Sequence, residues 1–146
     1  MRSLISIVFA LLLVVVLVYS CTTSTNESDC SIPLNPNGDS ELALLMREMS
    51  KHLETERAFL LNQQLPGEFP ISFEKIRSAV PSDPKSISVN YDAFALMYLA
   101  ALKQYHQSDS LKLAISNFNN LVHSCVNCHK NECPGPVKKI EKSYIK

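Results

Sequence analysis

Residues 111–129 constrain the fold more than any other stretch. Leu111, Ala114, Ile115, Phe118, Leu121, Val122, Cys125 and His129 recur at steps of three and four, which sets them along one face of a single long helix. A helix with an apolar stripe of that width must bury it against neighbours. Two further stretches supply partners. One starts at Asp39 or Ser40, either of which can cap it, and carries Leu42, Leu45, Met46, Met49, Leu53, Ala58 and Leu60 or Leu61 at helical spacing. It must end before Pro66, Gly67 and Pro70. The other runs from about Asn90, with Phe94, Met97, Tyr98, Ala101, Leu102 and Tyr105 on its inner face. The connector "QSDS" at 107–110, with Asp109 or Ser110 as a cap, joins helices at 90–106 and 110–130 into an antiparallel hairpin. Between the first two long helices, residues 71–80 suit a short helix, and residues 81–87, with Pro81 and Pro84, form a loop. Pro134 and Pro136 stop the last long helix, and 137–145 suits a short terminal one with Val137, Ile140, Tyr144 and Ile145 apolar. Glycine occurs three times and tryptophan not at all, which favours helices over a β-sandwich. The expected class is all-α over residues 40–146. The architecture is four-helix-bundle-like, with three long helices, a short second helix and a C-terminal extension.

The other end of the chain bears on the compartment. After Met1 and Arg2, an apolar run from Leu4 to Val18 is broken only by Ser6. That is short for a membrane span and suits the core of a signal peptide. The run closes on Val18, Tyr19, Ser20 and Cys21. This segment resembles the lipobox of bacterial lipoproteins. The resemblance implies that residues 1–20 are a signal peptide and that Cys21 is acylated on its thiol and its new amino group. Residues 21–39 then form a polar linker with two prolines. An uncleaved signal anchor is the alternative, and both place the remainder on a membrane tether at the periplasmic side of a bacterial membrane. The 14 basic and 14 acidic side chains balance, so no positive field points to nucleic acid.

The chemistry lies in "CVNCH", Cys125 to His129. On a helix, Cys125 and His129 stand one turn apart with Cys128 on the same flank. Two thiols so spaced can each add across one vinyl group of a haem, the S–H bond giving a thioether. The neighbouring imidazole then reaches the iron. C-x-x-C-H is the attachment sequence of c-type haem, and the export signal agrees with it. A redox C-x-x-C would head a helix after a strand, a context this chain lacks. A zinc or iron–sulfur site is the other alternative, since Cys125, Cys128 and Cys133 give C-x₂-C-x₄-C, with Cys30 as a fourth thiolate. Of the five cysteines, Cys21 goes to lipid and Cys125 and Cys128 to haem, which leaves Cys30 and Cys133. Outside the cytoplasm two such thiols tend to pair, so a Cys30–Cys133 disulfide is expected.

The sixth position of the iron has six candidates: Met46, Met49, Met97, His52, His106 and His123. His123 shares the helix of His129 and cannot reach the opposite face. His106 sits in a polar stretch, where solvation is expected, and Met97 reads as core packing. If the first and last long helices run antiparallel, Met46 or Met49 comes opposite His129. An all-α domain with "CVNCH" near the end of its last long helix resembles the class II cytochromes c, which include cytochrome c′ and its low-spin relatives. In the low-spin members a Met early in the first helix is the sixth ligand. Within "ELALLMREM" that position matches Met46 best, with Met49 one turn on. Leu42, Leu45, Leu53, Phe118, Leu121 and Val122 are candidate cavity walls, and Arg47 and Lys130 candidate partners of the propionates. The short second helix and the residues after the haem motif depart from the family pattern.

The resulting expectation is a membrane-tethered monohaem cytochrome with one covalent haem c. It carries single electrons to redox partner proteins and is not an enzyme, since no acid–base pair, nucleophile constellation or Gly-rich phosphate loop is present. Three alternatives stand beside it: a five-coordinate, cytochrome c′-like binder of NO or CO, the metal module above, and a haem subunit docked in a larger respiratory or reductase complex.

Overall fold

A computed structural model describes residues 39–146. The expected signal peptide, Cys21, the expected linker up to residue 38 and Cys30 lie outside the described residues.

Helix α1, Glu41–Leu61, begins where the sequence places its cap: the Ser40 hydroxyl accepts a hydrogen bond from the Ala43 N–H at 3.2 Å. Glu41 lies at the positive end of the helix and also accepts from the Val80 N–H at 3.1 Å. The helix stops through Gln63, whose φ of 59° is the left-handed conformation that ends many helices. The short element that follows is a 3₁₀ helix, Ile71–Arg77, which drives Phe73 and Ile76 into the core. A second 3₁₀ turn, Pro84–Ser86, lies in the proline-containing loop.

Helices α2, Tyr91–His106, and α3, Leu111–Glu132, form the hairpin that carries most of the helix–helix packing. Asn117 fastens its turn by donating to the Gln104 carbonyl and the Ser108 hydroxyl, each at 3.1 Å. Leu102, Tyr105, Phe118, Leu121 and Val122 are fully buried along the seam. Helix α2 buries Tyr98, Leu102 and Tyr105 of the expected face together with Ala95, while Phe94 and Ala101 are half-buried and Met97 stands 54% exposed. The reason is that α2 packs mainly on α3 and the first 3₁₀ helix, so its covered face is narrow. On α1 the same effect leaves Ala58 and Leu61 outside.

Past the prolines the chain makes one α-turn, α4, Val137–Ile140, and one 3₁₀ turn, Glu141–Ser143, in place of one short helix. This extension folds back over α1 and α3. Arg57 donates to the Ser143 carbonyl at 3.2 Å, and Asn119 exchanges two hydrogen bonds with the Ile145 backbone at 2.8 and 2.9 Å. The fold is all-α. The position of a long second helix is held by the seven-residue 3₁₀ element. No helix among the described residues is long and apolar enough to cross a membrane.

Candidate functional site

The start of α1, the end of α3 and the C-terminal turns enclose a cavity of about 480 Å³, within the usual range for small-molecule and cofactor sites. Met46, Met49, His52 and Leu53 line it from α1, and Leu121, Cys125, Cys128 and His129 from α3. The start of one helix and the end of the other therefore share one space, and the next turns inward, Leu53 and Leu121, share it too. The two helices run antiparallel along it. Four residues of "CVNCH" and "ELALLMREM" that carry the sequence argument are thus joined by Met49 around a single void.

His129 sits in the last turn of α3, where its Nδ1 lies 3.1 Å from the Cys133 carbonyl oxygen. A carbonyl can only accept, so Nδ1 carries the proton and Nε2 keeps a lone pair for a metal. Metal-bound histidines are oriented by this kind of outer contact. Burial pushes the Cys125 thiol up to about 12 and the Cys128 thiol up to about 11. Both therefore stay protonated at neutral pH, unlike the low-pKa thiolates of redox C-x-x-C motifs. Cys133 is exposed at the end of α3. Among the described residues no three His, Cys, Asp or Glu side chains converge on a point that would hold a metal ion. The third thiol of the zinc or iron–sulfur alternative is thus not gathered with the other two. The Cys30–Cys133 pairing involves a residue outside the described region.

Several expected neighbours are placed differently. Lys130 points away and pairs with Glu141 at 3.9 Å. Arg47 lines the cavity while it pairs with Asp39. Arg57, Lys139 and Lys142, which the sequence did not single out, supply further cations at the cavity. Among the expected walls, Leu53 and Leu121 line the void, whereas Leu45, Phe118 and Val122 are core beneath it. Tyr98 and Ile76 complete the apolar lining. Ile76 reaches the cavity from the 3₁₀ helix and Lys139 and Lys142 from the extension, where no local signal marks them, whereas Arg57 and Tyr98 come from α1 and α2.

His106 is half-buried, not solvated. Its Nε2 lies 3.3 Å from Nε2 of His52, and its Nδ1 lies 3.0 Å from the Gly67 carbonyl oxygen. His52 also faces the buried Glu56 carboxylate at 4.0 Å, and Tyr105 donates to that carboxylate at 2.6 Å. Burial lowers the pKa of His52 below its ordinary 6.5. A depressed histidine pKa means that the folded state binds the proton less readily than the unfolded chain. The contribution of His52 is therefore intact above pH 6.5 and lost as pH falls from there through the folded value. His52→Gln is expected to flatten the stability profile in that acidic window, measured as urea midpoints across pH 4 to 7 (a range of about three units around the histidine value).

The donor set suits a c-type haem: two thiols and an oriented imidazole on one wall, two thioether sulfurs on the other, an apolar lining and a cationic edge. No family model matches the chain, nor does any curated protein or solved structure.

Proposed function

We propose that this chain is a monohaem c-type cytochrome of the electron-carrier kind, tethered to a membrane through Cys21. The observation that carries the reading is the cavity that brings Cys125, Cys128 and His129 together with Met46 and Met49. Cys125 and Cys128 would hold the haem through thioether bonds, and His129 Nε2 and the Met46 sulfur would ligate its iron. When bound, the haem supplies reversible one-electron iron chemistry. The protein's own part is to orient and exclude. The Cys133 carbonyl fixes the His129 tautomer, Leu53, Leu121 and Tyr98 keep water from the metal side chains, and Arg57, Lys139 and Lys142 are placed to neutralise propionates. A Met sulfur favours the reduced metal relative to a second imidazole. His52 also lines the cavity, but its Nε2 is directed at His106 and its Nδ1 at Glu56 rather than into the void.

The reduced absorption spectrum, with and without carbon monoxide, tests the ligand set. Sharp α and β bands that the gas leaves unchanged are expected of the Met/His carrier. A broad band that shifts with the gas marks an open iron and the NO- or CO-binding alternative. Met46→Ala is expected to convert the first spectrum into the second. An unchanged spectrum in that variant passes the ligand role to Met49.

A further inference from the structure

We propose that His52 and His106 form a second metal site, for a divalent transition-metal ion of the zinc and copper class, at the seam of α1, the end of α2 and the Gly67 loop. The two imidazoles come from positions 54 residues apart, yet their Nε2 atoms lie 3.3 Å from each other. With metal–nitrogen bonds of about 2.0–2.1 Å, a tetrahedral ion holds two nitrogens roughly 3.3 Å apart.

The hydrogen-bond inventory points the same way. The Gly67 carbonyl accepts from His106 Nδ1 at 3.0 Å, so His106 presents a lone pair at Nε2. On His52, Nδ1 faces the Glu56 carboxylate at 4.0 Å. Tyr105 anchors that carboxylate, its hydroxyl kept protonated by burial and by the bond to Glu56. A carboxylate behind Nδ1 favours the proton there and a second lone pair at Nε2. Two lone pairs aimed at one gap are stabilised by a cation between them. Carboxylate–histidine–metal and carbonyl–histidine–metal relays are the usual outer shells of such sites. The rings are also held in place: Phe73 packs edge-on to His52, and Phe69 and Tyr105 pack edge-on to His106. Burial keeps His52 neutral, the form that ligates. Imidazole pairs suit zinc, copper and nickel over magnesium or calcium.

The two imidazoles are the protein ligands of the site, and water completes the coordination. The site uses none of the thiols and neither His129 nor Met46; His52 also lines the cavity, with its Nε2 directed at His106.

The test is zinc titration of the full chain by calorimetry, with accessible thiols alkylated, alongside copper(II) electron paramagnetic resonance. One ion per chain is expected, with hyperfine coupling from two imidazole nitrogens. Glu56→Gln, which acts behind His52, is expected to weaken zinc about 10- to 100-fold. No saturable zinc binding by the unaltered chain overturns the proposal. So does binding that survives His52→Gln combined with His106→Gln. Should that double variant fail to fold, the resonance spectrum of the unaltered chain decides, since a pattern without two imidazole nitrogens also overturns it.

Discussion

If the proposed haem is attached, Cys125→Ser combined with Cys128→Ser is expected to yield a folded chain whose intact mass lacks the porphyrin increment expected of the unaltered protein. Serine keeps the shape of cysteine and cannot form the thioether, so the change removes the covalent bonds while α3 persists. Cys125 is half-buried and Cys128 buried, both at the cavity. A serine hydroxyl on a helix can bond back to a carbonyl of the preceding turn, as Ser124 does to Leu121 at 2.8 Å. The stability cost should therefore stay at the low end of the range for a buried polar group, about 1 kcal/mol per site. Single variants are expected to keep one bond and the full mass increment. Mass spectrometry after acidified-acetone extraction separates these outcomes, because extraction removes only haem that is not covalently held. A double-serine chain that still carries the increment would show that these sulfurs do not attach it. An unaltered chain that is colourless would remove the haem reading altogether.

The helices were legible because their signals are local. Ser40 caps where a capping residue stands next to an apolar-periodic run, and "QSDS" gives the turn between α2 and α3. The site was legible in part, since C-x-x-C-H fixes three residues by spacing alone. The pairing of Met46 and Met49 with them followed once the helices were taken as antiparallel. What the sequence hid was decided at long range. Met97 has the spacing of a core residue, yet it faces out because α2 is covered on one side only. His106 sits among polar neighbours in sequence, and its partners His52 and Gly67 arrive from 54 and 39 residues away. Lys139 and Lys142 lie in a short polar tail, and only the return of that tail across α1 brings them to the cavity, with Lys139 3.1 Å from Glu54. Spacing rules report which face of a helix is apolar. They do not report which partner covers it.

Phe118→Ala separates the fold from the cofactor. Phe118 is fully buried on α3 and meets Tyr105 of α2 edge-on at 5.6 Å, at the centre of the hairpin seam. It lies two turns before Cys125 and does not line the cavity. Truncation removes most of a ring from a close-packed site and leaves a void, with an expected loss of about 3–5 kcal/mol. Domains of this size hold only about 5–15 kcal/mol in total. At about 4–8 °C per kcal/mol, the melting temperature should fall by at least roughly 12 °C. The covalent haem should be untouched, because thioether bonds survive unfolding. The variant is therefore expected to melt early by circular dichroism while its mass keeps the full increment, the reverse of the double-serine chain. A Phe118→Ala chain that melts with the unaltered protein would mean that the α2–α3 seam is not what holds the domain together. One that loses the increment would mean that attachment depends on the native packing of α3 rather than on the motif alone.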